Sequence, residues 1–298
     1  MTNRITTSMT TRMILGDLQE VSSRLARTQQ KLASGKELNV PSDDPFATTR
    51  ALEFRSELEE NRQYQRNAQE ATAWQNVTDT ALGQMGDFVL RARDLLIQGA
   101  TDTTSAEGRN AIAAELDQLI DSIKSGANVQ YAGRYVFSGA QTTTPPYQQG
   151  ANDAYAGDTN AVKREIGRNI QLDLNVDGQS AIGDGSTGLI AALRKAAADL
   201  RTPGTTSVLQ GADLRALDAA HNTLINLRAI VGARTNRLES AQSRLEQLEG
   251  ATSSLLSDTE DADIAKTMID FSTEQAVYQA ALKAGAQVIQ PSLMDFLR

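Results

Sequence analysis

Residues at seven-place intervals define the first helix. Ile14, Val21 and Thr28 form one row, and Leu18, Leu25 and Leu32 form a second. Together they make one narrow apolar seam on a helix predicted over residues 8–33. Gly35 supplies a helix stop, and Pro41 marks a chain that has turned. A second helix is predicted after Ser42-Asp43-Asp44-Pro45, where an acidic cap precedes a proline in the first turn. It runs over about residues 45–98 with no proline inside. Its row is Phe54, Asn61, Ala68, Gln75, Leu82, Val89 and Leu96. The two amides in that row cost stability and can fix register between partners. A shorter helix over about 105–127 carries Ile112, Leu116, Leu119 and Ile123 on one face.

The C-terminal part repeats the theme. Leu217, Leu224, Val231, Leu238 and Leu245 lie seven apart, with Leu227, Ala241, Leu248 and Leu255 in a companion row interrupted by Arg234. A helix over about 211–257 is on the order of 70 Å long. Finally, Ile264, Phe271, Tyr278 and Gly285 alternate with Met268, Gln275, Leu282 and Ile289, ending near Pro291. Helices of this length cannot bury their stripes by folding back on themselves; they need antiparallel neighbours or other subunits. The terminal helices, about 8–33 and 262–290, are each set off by a break, Gly35 to Pro41 and Ser257 to Asp261. A lone two-helix pair is marginal in water. The expectation is that these ends stay loose in a monomer and order against copies of themselves or relatives.

Residues 129–210 differ. Glycines cluster there, and Pro145-Pro146 follow three threonines. Tyr135-Val136-Phe137 reads as a short strand closed by Ser138-Gly139. Ile170, Leu172, Leu174 and Val176 alternate with Gln171, Asp173 and Asn175, the period of a half-buried strand, and Val162, Arg164 and Ile166 suggest its hairpin partner. Leu189 to Leu200 reads as a short helix stopped by Pro203-Gly204. The predicted fold class is mainly α: a long antiparallel bundle or coiled-coil rod built from both chain ends, with a small mainly-β insert. Three parts are expected: a terminal coiled-coil segment, 1–42 with 258–298; a helical rod, 43–140 with 205–257; and an outer domain, 141–204.

Composition narrows the chemistry. The net charge of −8 argues against a nucleic-acid binder, which needs a basic face. The absence of cysteine removes disulfides, thiolate nucleophiles and zinc–thiolate sites. With one histidine, His221, a multi-histidine metal site is excluded. No run approaches the roughly 18–20 apolar residues of a membrane span. Met1 to Leu15 is Thr-rich and lacks the pattern of a cleaved secretory signal.

The remaining candidates read as structure. Asp43-Asp44 fits a helix cap at the positive end of a helix dipole. Asp258, Glu260, Asp261 and Asp263 lack the glycine-centred loop of a calcium site and read as a capped, solvated helix start. His221 lies beside its helix seam with no evident nucleophile. The Gly183–Gly188 stretch lacks the lysine of a phosphate loop, and Trp74 reads as a helix–helix contact. No catalytic, cofactor or metal site is predicted, and no enzymatic activity.

Three strings resemble the flagellin superfamily. They are Leu32-Ala33-Ser34-Gly35-Lys36 running into Asn39-Val40-Pro41-Ser42-Asp43-Asp44-Pro45; Gly133-Arg134-Tyr135-Val136-Phe137-Ser138-Gly139; and Pro291-Ser292-Leu293-Met294-Asp295-Phe296-Leu297-Arg298. The opening Arg4-Ile5-Thr6-Thr7-Ser8-Met9 also fits. The resemblance covers roughly 1–140 and 205–298 and hardly touches the middle. Within the superfamily, Pro41–Pro45 and the Tyr-Val-Phe-Ser-Gly string resemble the type of subunit that joins the flagellar hook to the filament. A filament flagellin is the alternative, and a secreted flagellin-like protein with an enzymatic insert a remote one. The resemblance implies a structural subunit, exported unfolded by the flagellar machine and held beforehand by a cytoplasmic chaperone. Its implied partners are other hook-associated proteins, filament flagellin and itself, at the hook–filament junction. Assembly is expected to run through Ile14, Leu18, Val21, Leu25, Leu32, Ile264, Met268, Phe271, Tyr278, Leu282, Ile289, Leu293, Phe296 and Leu297.

Overall fold

The computed structural model describes residues 7–289. In chain order the elements are α1 (Thr7–Ser34), α2 (Pro45–Gly99), α3 (Ala106–Ala127), β1 (Gln130–Tyr131), β2 (Arg134–Tyr135), β3 (Lys163–Gly167), β4 (Ile170–Asp173), α4 (Gly178–Ile182), α5 (Gly188–Arg201), α6 (Thr206–Val208), α7 (Leu214–Glu260) and α8 (Ile264–Ile289). The fold is mainly α, with long helices from both ends of the chain flanking two small antiparallel ribbons, β1–β2 and β3–β4. The chain divides into two compact units, Met1–Glu60 with Glu249–Arg298, and Asn61–Leu248.

The unit over 61–248 holds the main core. The predicted α7 row, Leu217, Leu224, Val231, Leu238 and Leu245, is buried along its whole length. It meets Leu82, Val89 and Leu96 of α2, Ile112, Leu116, Ile120 and Ile123 of α3, and Leu189, Ile190 and Leu193 of α5 in one apolar cluster, Leu245 lying just outside it. Each such aliphatic side chain contributes about 1.5–3 kcal/mol on full burial. The companion α7 row is only partly used: Ala241 is buried, while Leu248 is exposed. The two amides of the α2 row find defined partners. Asn61 Nδ2 donates to the Leu245 carbonyl at 2.9 Å, and Gln75 Nε2 donates to the Leu174 carbonyl at 2.7 Å. Each fixes where α2 stands along its neighbour, the role expected of polar seam positions. Trp74 is buried edge-on to Tyr131, ring centroids 6.1 Å apart.

The β content is confined. β3 and β4 pair antiparallel from Lys163–Asp173 to Gly167–Ile170, with an irregularity between Glu165 and Gly167. The strand expected at 135–137 ends at Tyr135. Val136 and Phe137 instead turn into the core, and the Ser138 hydroxyl closes the following turn on the Thr144 carbonyl. The segment after it is tied down by charge. Lys124 of α3 is fully buried, donates to the Gly150 and Asn152 carbonyls and pairs with Asp153. Arg194 of α5 reaches the same carboxylate at 2.8 Å and Asp117 of α3 at 2.7 Å. Burial opposes ionisation of Asp153, but hydrogen bonds from Arg194 and Lys124 hold its carboxyl below the usual value.

Candidate assembly interface

In the unit built from the chain ends, α1 and α8 pack against each other as an antiparallel pair. Gly35 lets this happen. Its φ of +70° is the left-handed region open to glycine, and its N–H donates to the Lys31 carbonyl at 2.8 Å, ending α1. The chain then meets the α7–α8 junction. The Glu37 N–H donates to the Glu260 carbonyl, and the Ala262 N–H to the Gly35 carbonyl, at 2.8 and 2.9 Å. Glu260 is buried here and accepts two cations, Lys36 at 2.6 Å and Arg55 of α2 on its other oxygen. A buried carboxylate with both oxygens paired is a firm joint, because losing both cations would leave a buried charge without compensation.

The acidic candidates resolve into such structural roles. Asp44 caps α2, its Oδ1 accepting from the Phe46 and Ala47 N–H groups at 2.9 and 3.0 Å. Asp43 holds the loop by accepting from the Asn39 and Val40 N–H groups. Asp263 caps α8 through the Lys266 N–H, and Asp261 accepts from the Ser257 hydroxyl. Among the described residues, no group of three or more His, Asp or Glu side chains is placed to hold a metal ion. His221 lies against Gly86 of α2, with its Nδ1 buried and unpartnered.

The seam between α1 and α8 is thin. Val21, Thr28, Thr267 and Gly285 are buried, while Ile14, Leu18, Leu25, Leu32, Phe271 and Tyr278 are half-buried. A methyl group on Gly285 would stand 3.3 Å from Ile14 and 3.7 Å from Leu18, so this glycine is where the two helices approach most tightly at the distal end. Near the joint the helices part around a polar cleft of about 380 Å³ lined by Thr28, Lys31, Asp263, Lys266, Asp270 and Glu274, among others. The α8 face turned to α1 runs through Thr267, Phe271, Glu274, Tyr278, Ala281 and Gly285. The companion row of the expected seam therefore lies one position off the buried one. Ile264, Met268 and Leu282 face solvent, 48, 61 and 45% exposed. They line up beside the seam as a second apolar stripe at helical spacing. Met9, Met13 and Leu15 of α1, and Ile269 and Val277 of α8, are also exposed, as is Phe46 at the start of α2. Sequence periodicity passes over those six because they fall outside any seven-residue row. The Ile289 side chain and residues Leu293, Phe296 and Leu297 lie outside the described residues. No helix among the described residues is long and apolar enough to cross a membrane.

Two family models match the chain. The bacterial flagellin N-terminal helical region matches residues 5–142, and the bacterial flagellin C-terminal helical region matches residues 214–297. The chain is 26% identical to flagellar hook-associated protein 3 of Escherichia coli over 277 residues, covering 86% of this chain and 87% of that protein. It is 25% identical to the flagellar filament 31.3 kDa core protein of Treponema maltophilum over 282 residues, covering 92% of each. A putative flagellar hook-associated protein from Vibrio parahaemolyticus shares the fold with a TM-score of 0.67 at 21% identity, over 74% of this chain and all of that one.

Proposed function

We propose that this chain, which belongs to the bacterial flagellin family, is the structural subunit that joins the flagellar hook to the filament. It is a flagellar protein that assembles with other flagellar subunits. The observation that carries the reading is the α1–α8 pair: a thin internal seam beside a second apolar stripe that nothing among the described residues covers. A pair with so little buried surface gains most of its stability from neighbours. In this reading residues 1–42 and 258–298 are loose before assembly and order by packing beside equivalent segments. Residues 43–140 and 205–257 form the surrounding helical rod, and residues 141–204 the outer domain. The contacting set is the fourteen-residue interface from Ile14 to Leu297 named above.

The chain is exported unfolded by the flagellar machine, a cytoplasmic chaperone covering its C-terminal seam until then. It acts as a scaffold and catalyses no reaction. The experiment is electron microscopy of a deletion strain. Hooks without filaments, with filament protein shed into the medium, support the junction role. Normal filaments defeat it. Removing residues 1–35 or 265–298 should leave the core folded and abolish motility.

The likeness to a filament core protein favours one alternative, a filament flagellin. Purified chain that polymerises alone into long filaments decides for that role. Chain that adds only to hook ends decides for the junction.

A further inference from the structure

Two exposed stripes on the unit over 61–248 match each other. On α7, Ile230, Arg237, Arg244 and Leu248 fall on one face, and no acidic residue interrupts it between them. Arg237 and Ile230 line a groove of about 500 Å³ against the β3–β4 ribbon, with Lys163, Arg234 and one acid, Asp173, the cross-strand neighbour of Lys163. Arg244 lies along the ribbon turn at Gly167, and Arg234 donates to the Asn175 carbonyl at 3.0 Å. On α2, Asp87, Leu90, Asp94 and Ile97 fall on one face. The four apolar members, Leu90, Ile97, Ile230 and Leu248, are 42–47% exposed.

The spacing is the same on both sides. Arg237 and Arg244 are seven apart, as are Asp87 and Asp94, about 10.5 Å along a helix. Among the described residues Arg237, Arg244, Asp87 and Asp94 form no ion pair, and the charge of Asp87 adds to the upward pull on the Arg228 guanidinium. Within one chain the stripes cannot meet. α7 faces α2 through Arg228, which bonds Asp79 at 3.0 Å, and through Asp218, which accepts from Arg93 at 2.9 Å. It faces the ribbon through Arg234 and Arg244, more than a quarter-turn further round the helix. A cationic-apolar stripe on one flank and an acidic-apolar stripe on another form a head-to-tail contact, which repeats around a ring or tube.

We propose that the α7 stripe of one copy docks antiparallel on the α2 stripe of the next, Arg237 meeting Asp94 and Arg244 meeting Asp87. This rests on the assembly role proposed above and names its lateral partner as a second copy of this chain. The chain has no cysteine, so the contact is testable by disulfide trapping. A strain expressing only a chain with Arg237→Cys and Asp94→Cys should give a ladder of oxidised multimers from purified flagella. Either substitution alone should give monomer. Dimers from Arg237→Cys alone mean a two-fold contact and overturn the proposal, as does monomer from the double variant. So does capture of a different flagellar protein by a photo-crosslinker at position 237.

Charge exchange gives a second reading. Arg237→Asp with Arg244→Asp should weaken self-association of concentrated chain about tenfold at low salt. Adding Asp87→Arg and Asp94→Arg should restore it. Loss without restoration overturns the pairing, and thermal unfolding checks that each variant is folded. If the chain is absent from flagella, the assembly role fails by itself. The trapping is then read on concentrated purified chain, where the same ladder or its absence decides the contact.

Discussion

Lys36 and Glu260 are 224 residues apart in the chain, yet the lysine ammonium donates to the carboxylate at 2.6 Å. The other carboxylate oxygen takes Arg55. Loop, α2 and the α7–α8 junction are joined at this one buried acid. Lys36 and Arg55 are each more than a third exposed and can rehydrate, so the penalty for losing the joint falls on the Glu260 side. Glu260→Gln should speed hydrogen exchange at the Ala262 and Glu37 amides about tenfold, corresponding to a loss of about 1.4 kcal/mol. Lys36→Ala should cost about 0.5–1 kcal/mol. Unchanged exchange at both amides in Glu260→Gln would show that the backbone bridge holds the joint without the carboxylate.

Gly285 tests the seam itself. A helix interior gains about 1 kcal/mol from glycine to alanine. Here the added methyl stands 3.3 Å from a flexible Ile14 side chain, which must yield slightly. Gly285→Ala should therefore be close to neutral, with motility retained. Gly285→Leu has no room beside Ile14 and Leu18 and should separate the distal half of the pair, costing about 1–3 kcal/mol and abolishing motility. Circular dichroism with a swarm assay distinguishes the two. Full motility in the leucine variant would mean that the helices do not pair this way in the assembled state.

The long helices were legible because seven-residue rows survive wherever both flanks of a helix are packed. The α7 row from Leu217 to Leu245 is of that kind. The α8 companion row is left uncovered by α1 for a physical reason. Met268 and Leu282 are as apolar as core residues, yet α1 meets Thr267, Glu274 and Ala281 instead. Periodicity marks which faces are apolar; it does not tell which of two adjacent apolar faces a single partner covers. The joint at Glu260 was invisible for another reason. Its three charges come from three distant segments, and within the local sequence Glu260 is one acid among several. The buried Lys124 was missed because a lysine in a helix reads as solvated until a loop carbonyl is brought over it.

The two apolar stripes of the terminal pair make opposite predictions. Val21 is buried in the seam, so Val21→Ala should lower the stability of the pair by about 1–2 kcal/mol. Met268 is 61% exposed, so Met268→Asp should leave stability within about 0.5 kcal/mol. If the outer stripe is an assembly surface, Met268→Asp should nonetheless abolish motility and incorporation into flagella. Urea unfolding with a complementation assay separates the two effects. A motile Met268→Asp strain would remove Met268 from the interface.

The charge cluster over the 150–153 loop sets an acid limit on this region. The Asp153 carboxyl is held below its ordinary value, chiefly against burial, by hydrogen bonds from Arg194 and Lys124. A group depressed in the folded state contributes stability that is fully present above its unfolded value, near 3.8, and is lost as pH falls through the lower folded value. Proteolysis between 148 and 158 should therefore be slow at neutral pH and accelerate below about pH 3.8, before the helical core unfolds. Asp153→Asn should be cut faster than the natural chain at neutral pH and show a weaker dependence on acid. Lys124→Met should be worse than either, by about 3 kcal/mol, because it strands two loop carbonyls as well as removing the charge. A flat rate of cleavage from pH 7 to pH 3 would show that the loop is held by its apolar contacts and that the buried lysine serves another purpose.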